Sequence, residues 1–227
     1  MDIKRNIRFF KQNDVLRLFG ATVAIVGLIW FYFGMSMASY YGPIVMMPVG
    51  LALFIVCSAR AVPESEIRQC VTKAQDGLGK DVTEGRESAY VRREFCAEGQ
   101  YYDEYATMFR RVKDAKVLSD ASCKTMLYLT DDALLIRSRR VVLATGEVED
   151  KGLRLEWNEI GGAQIVPYET RVKLTNSRKA YAGVRGARLT LSAKDGSIVC
   201  CVPIQNDVDA EKLCEEITRS CHAAIND

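Results

Sequence analysis

The chain has 227 residues, and its 31 Lys plus Arg balance 29 Asp plus Glu with a single histidine, which excludes a nucleic-acid binder held by bulk positive charge. Its eight cysteines show no CxxC pair and no repeated spacing; this excludes a disulfide scaffold or a clustered thiolate metal site and fits a reducing compartment. No cofactor is implied.

Residues 1–17 form a basic segment carrying Lys4, Arg5, Arg8, Lys11 and Arg17. Ile3, Ile7 and Phe10 fall on one rough helical face among these cations, the pattern of a short helix lying in the leaflet interface. The same composition also fits a solvated positive tail.

From Leu18 through Ala59 there is no Asp, Glu, Lys, Arg or His. Such a tract, about 42 residues, would be roughly 63 Å of straight helix, twice the thickness of a hydrocarbon core, so it must fold back on itself. The break falls at Tyr40-Tyr41-Gly42-Pro43, where Gly and Pro end a helix and the tyrosines suit a membrane interface. Two spans are therefore expected, roughly Arg17 to Ser39 and Pro43 to Ala59, with Pro48 and Gly50 as sources of a kink in the second. Cations flank the tract on its outer ends, Lys4 to Arg17 before it and Arg60 and Arg68 after it, and the turn between the spans has none. The positive-inside rule then places both termini in the cytoplasm, with a bacterial inner (plasma) membrane as the expected site. Ser36-Met37-Ala38 imitates a signal-peptide cleavage site, but the apolar run of about 20 residues exceeds the roughly 7–15 of a signal core.

Gly20, Gly27 and Gly34 recur every seven residues, with Ala24 and Ala38 on nearly the same stripe. Small side chains in this array let another helix approach closely. The partner is either the second helix of the same hairpin or a helix of another subunit, a second copy included. A tract with no ionisable residue lacks the groups that mark proton relays and ion paths, so it anchors and does not transport.

Residues 60–104 read as a connector. Pro63 opens a helix in which Ile67, Cys70, Val71, Ala74 and Leu78 follow helical spacing and Gly77 and Gly79 end it. Residues 80–104 are dense in charge without a sustained period, and irregular structure with one short helix or strand is expected there. Residues 105–227 change to short alternating strands. Met126 to Thr130 and Ala133 to Arg137 flank an acidic turn, and further strands are expected at 140–144, 153–157, 163–167, 172–175 and 187–193. Lys194-Asp195-Gly196 marks a hairpin turn between Leu189-Thr190-Leu191-Ser192 and the strand from Ser197 to Val202. The chain ends in a helix capped by Asn206 or Asp207, with Leu213, Ile217, Cys221 and Ala224 as its apolar face. The fold class expected is α+β: a transmembrane helical hairpin, then a mostly antiparallel bent sheet or open barrel closed by a C-terminal helix.

That strand order, with Leu127-Tyr-Leu-Thr-Asp-Asp-Ala-Leu-Leu-Ile136, Trp157-Asn-Glu-Ile160 and the Asp-Gly hairpin before the helix, resembles the pleckstrin-homology-like domains, including those of bacterial membrane proteins. The resemblance covers about residues 105–225 and rests on strand order more than on any diagnostic motif. It implies a domain that binds head groups, peptides or proteins rather than an enzyme. Fold analogy alone does not choose among those ligands.

Catalytic signals are missing from the sequence. His222 directly follows Cys221 on the terminal helix, where neighbours diverge by about 100 degrees, and no nucleophile elbow, zinc-helix or phosphate-loop motif occurs. Cys200 and Cys201 would project to opposite faces of a strand. The strongest soluble feature is the acid-poor stretch carrying Arg171, Lys173, Arg178, Lys179, Arg185 and Arg188, whose cations serve an anionic leaflet, an acidic partner, or solvent alone. The whole reads as a membrane-anchored cytoplasmic scaffold that recruits protein partners, with membrane lipid around its helices. Its rivals are an anionic-lipid sensor and an accessory subunit of a transport or secretion complex.

Overall fold

The structure, a computed structural model, describes residues 1–12, 14–33, 41–80, 91–112, 116–177, 180–204 and 208–226. It is α+β, with two long apolar helices, mostly antiparallel sheets and a C-terminal helix.

Four helices come first: α1 (Ile3–Lys11), α2 (Asp14–Phe33), α3 (Tyr41–Ala59) and α4 (Glu64–Gln75). Both α2 and α3 are long and apolar enough to cross a membrane. They pack against each other through glycine, because no side chain fits between the backbones. A Cβ on Gly20 would lie 2.9 Å from the Phe54 nitrogen, one on Gly27 2.9 Å from the Met47 nitrogen, and one on Gly50 2.5 Å from the Ala24 nitrogen. The stripe of Gly20, Ala24 and Gly27 therefore meets α3 of the same chain, while Gly34 and Ala38 lie outside the described residues. Gly50, read from the sequence as a kink site, is a packing glycine, and Pro48 is carried within α3.

The aqueous part contains β1 (Val91–Gln100), β2 (Phe109–Arg111), β3 (Val117–Ser119), β4 (Ala121–Thr130), β5 (Ala133–Val142), β6 (Glu147–Glu156), β7 (Ile160–Lys173), β8 (Tyr181–Ala193) and β9 (Ile198–Ile204), followed by α5 (Val208–Asn226). The strands form a four-stranded sheet β1-β4-β5-β6, a three-stranded sheet β7-β8-β9 and the small pair β2-β3, all antiparallel. Leu127, Leu129, Leu134 and Ile136 turn inward to meet Leu189, Leu191 and Val202 of the second sheet and Leu213 and Ile217 of α5. On the outer face of the same strands, Val141 and Leu143 pack under Phe9, Phe10, Val62 and Ile67, while Tyr128 meets Leu135. A sheet covered on both faces needs apolar residues at successive positions, which is why β4 and β5 read as near-continuous apolar runs.

Three expectations are corrected. The one short element expected within 80–104 is instead a ten-residue strand, β1, paired with β4 from Val91 to Gln100; its pattern is faint because only Phe95 and Ala97 of its central residues reach the core. Residues 81–90 lie outside the described part. The separate strands expected at 163–167 and 172–175 are one strand, β7, and 133–137 and 140–144 likewise merge into β5. The polar residues that suggested breaks sit opposite countercharges across the ladder, Arg139 facing Asp150, Arg140 facing Glu149 and Glu169 facing Arg185, pairs that support a continuous strand. Finally, α1 is not a solvated tail: Phe9 and Phe10 are 1% and 0% exposed, packed with Val62, Ile67, Val141 and Leu143.

The expected turns are present. Thr130 accepts from the Ala133 nitrogen and donates to Asp132 at the β4–β5 turn. Gly196 takes φ +84 at the β8–β9 turn, a left-handed conformation natural to glycine. On α5, Leu213, Ile217 and Cys221 are buried; Asn206 and Asp207 lie outside the described residues, as does the side chain of Ala224.

Candidate functional site

The base of the apolar hairpin is locked to the aqueous domain by a polar seam. Asp2 caps α1 by accepting from the Arg5 nitrogen, Asn6 donates to the Leu143 carbonyl at 3.1 Å, and Arg5 pairs with Glu66 of α4 at 2.6 Å. These contacts hold α1 against the sheet, and the two phenylalanines fill the space beneath. At the end of α1, Gln12 accepts from the Val62 nitrogen at 2.9 Å and its carbonyl receives the Asn176 amide at 3.4 Å. The start of α2, the end of the α3 arm and the β7–β8 tip thus meet at one residue.

Arg110 closes the seam. From β2 it donates to the Phe9 carbonyl at 2.7 Å and to Asp14, the first residue of α2, at 2.5 Å, with its guanidinium 4.4 Å over the Phe9 ring. It is buried, and its Nε has no partner among the described residues. Removing the carboxylate would leave a charged group short of a partner in a place where desolvation is costly. The β7–β8 tip is tied in beside it: Phe109 donates its nitrogen to Thr175 Oγ1 at 2.9 Å and accepts from the Thr175 nitrogen at 2.8 Å.

The basic stretch is not one surface. Arg171, Lys173 and Arg185 share a face of the β7–β8 ribbon with Glu169, which lies 3.7 Å from Arg185. Arg188 points to the opposite face, bonds Asp103 at 2.5 Å and stacks 4.7 Å over Tyr168. It is committed to the fold. Arg178 and Lys179 lie outside the described residues. The ribbon carries its cations toward the hairpin base, because Asn176 at its tip is the residue that reaches Gln12.

A second feature is an open groove of about 230 Å³ between β1 and α5, with Phe95, Ala97 and Leu213 on its floor and Glu98 and Asp209 at its rim. At one end β1 and β9 touch, where a Cβ on Gly99 would fall 2.5 Å from the Pro203 carbonyl; toward the other, Arg93 of β1 pairs with Glu216 of α5. Sequence reasoning missed both seam and groove. Arg110, Gln12 and Asp14 carry no motif, and the signal available was Asp14 itself, an acid at the mouth of a basic segment.

Five thiols, those of Cys96, Cys123, Cys200, Cys214 and Cys221, are held toward the protonated form by burial. Burial pushes Cys96 up and the Glu98 and Glu94 carboxylates add to this against Lys124; burial likewise raises Cys123, Cys214 and Cys221, and Cys200 goes up to about 11. A protonated thiol neither attacks nor ligates well. Burial also raises Tyr102 to about 12, and its hydroxyl donates to the Val117 carbonyl. Among the described residues no three His, Cys, Asp or Glu side chains converge on a metal position. No protein-family model, curated protein or solved structure matches the chain.

Proposed function

We propose that this is a two-span integral membrane protein with both termini in the cytoplasm, and that it acts as an adaptor holding a pleckstrin-homology-like domain in fixed orientation against the bilayer for protein partners. The observation that carries this reading is the seam. Arg110 joins the sheet to Asp14 at the start of α2, and Phe9 and Phe10 are sunk in the domain immediately before it. A domain on a loose tether searches a volume; a docked one presents the same surfaces to the same depth, so weak contacts suffice for recruitment. Four antiparallel strands, then three, then a closing helix, with β2-β3 inserted after the first strand, support the pleckstrin-homology-like part of the reading.

Purification of the full chain from its own membranes in mild detergent, after brief crosslinking, tests the adaptor role. A stoichiometric protein companion is expected, and a lone monomer without one would overturn it.

A second reading, contact with anionic lipid, is favoured by Arg171 and Lys173, exposed on a ribbon whose tip reaches the hairpin base. Each cation near an anionic leaflet contributes about 1 kcal/mol. Hydrogen exchange of the full chain in nanodiscs with and without anionic lipid tests this: slower exchange at 171–175 only with anionic lipid supports it, and identical exchange contradicts it.

A further inference from the structure

We propose that the groove between β1 and α5 is the partner-docking site, and that it receives an extended peptide segment with apolar side chains at alternate positions and Lys or Arg between them. This rests on the adaptor reading and names its partner's chemistry.

The first argument is the strand edge. β1 pairs with β4 along one side, and its other side makes no backbone ladder among the described residues. From Arg92 to Glu98, short of the approach of Gly99 to Pro203, that edge is a template for another strand, and proteins normally cover or blunt such an edge. Here it is blunted by charge, since Arg92, Arg93, Glu94 and Glu98 are exposed along it, so only a segment of complementary charge adds to it. Strand addition supplies affinity through the main chain and specificity through alternate side chains.

The second argument is size. At about 230 Å³ the groove falls below the roughly 300–1,000 Å³ of small-molecule sites. It has room for one or two apolar side chains, with Phe95, Ala97 and Leu213 as the surface they would cover. Anchors of that size belong to a peptide and not to a cofactor.

The third argument is charge. Glu98 and Asp209 stand on opposite walls, one on the strand and one on the helix, and Glu94 precedes Glu98 on the same side of β1. Their own cations are held loosely: Lys124 lies 3.5 Å from Glu98 and Lys212 3.6 Å from Asp209, with the carboxylates 55% and 84% exposed. Exposed pairs of this kind contribute about 0–1 kcal/mol each, so an incoming Lys or Arg displaces them at small cost. Arg93 closes one end, and because Glu216 already pairs with it its charge is largely neutralised there and does not oppose an incoming Lys or Arg.

The test uses the full chain in nanodiscs of zwitterionic lipid and two fluorescein-labelled peptides, one alternating valine with lysine and one alternating valine with glutamate. Saturable, salt-sensitive anisotropy with the lysine peptide alone is expected, together with slowed amide exchange at residues 94–98. The double variant E98K/D209K, two exposed positions, should weaken the lysine peptide about tenfold and leave the thermal unfolding temperature unchanged. Equal binding of both peptides, no saturable binding, or binding without protection of 94–98 would overturn the proposal. So would protection of 94–98 that grows with protein concentration before peptide is added, which would mean that a second copy covers the edge. If the double variant still carries the wild-type membrane companion and neither protein binds peptide, the groove assignment fails and the adaptor stands; if the wild type has no companion, the adaptor reading itself fails.

Discussion

At the seam beside the hairpin, Phe9 and Phe10 are essentially unexposed and a buried guanidinium donates to a carbonyl and a carboxylate; beside β1, Phe95 and Ala97 are only partly covered and the outer strand edge makes no ladder among the described residues. Both places join helices to the same four-stranded sheet. In one, side chains of high volume fill the gap and most polar groups are matched, the Arg110 Nε excepted. In the other, α5 packs on the sheets through Leu213 and Ile217 and leaves a groove between itself and β1. The difference teaches where to look for function: a closed joint fixes orientation, and an open one leaves binding surface unspent.

Breaking the closed joint should cost most. Phe10→Ala empties a fully buried site and is expected to lower stability by about 3–5 kcal/mol, read by denaturant unfolding in detergent, with earlier proteolysis within α1. Next comes the hairpin, whose backbones leave no space at Gly50: Gly50→Leu should force α2 and α3 apart at a cost of about 3 kcal/mol, seen as a lower midpoint of thermal unfolding. Arg110→Met retains the stem over Phe9 but loses both bonds, and a loss of about 2 kcal/mol is expected. In a double-mutant cycle with Asp14→Asn, the two effects should fall short of additive, and additivity would deny the ion pair.

Acid should act on the outer ladder and spare the seam's apolar contacts. The Arg139 guanidinium holds the Asp150 carboxyl below its ordinary value, and hydrogen bonds from Thr130 and the nearby Arg154 do the same for Asp132. A folded pKa below the unfolded one gives stability that is present above about pH 4 and disappears as pH falls through the folded values. Asp150→Asn is therefore expected to lower the neutral plateau slightly and flatten the acid limb, so that the variant and wild-type stability–pH curves converge at low pH. Smallest of all, Glu98→Gln at the open groove should move stability by no more than about 0.5 kcal/mol; a larger loss in the same unfolding assay would mean that the groove's rim is structural.

Much of the fold was legible because its signals are local. The uncharged tract gave the hairpin, Asp195-Gly196 gave the β8–β9 turn, and Leu213, Ile217 and Cys221 gave the face of the last helix. Of the glycine stripe, Gly20, Ala24 and Gly27 lie against α3. The elements that went unread depend on partners distant in the chain. β1 has few apolar residues because β4 and countercharges such as Lys124 opposite Glu98 complete it. In the sequence Phe10 reads as part of an interfacial face and Phe9 as part of none, because nothing local shows that Val141 and Leu143 pack against them. Arg188 belonged by sequence to a basic patch, and only Asp103, far earlier in the chain, reveals it as a structural ion pair. Neither Arg110 nor the groove has a sequence signature, since each is made by elements brought together from separate parts of the chain.

The claim that the aqueous domain is docked on the base of a membrane hairpin is tested most directly by placing the photocrosslinker benzoylphenylalanine at position 176 of the full chain in carbonate-washed membranes. Asn176 reaches the Gln12 carbonyl, so the account predicts that the protein stays in the washed membranes and that illumination joins position 176 to the peptide containing Gln12. Release of the protein by carbonate, or crosslinks that scatter without that peptide, would contradict it.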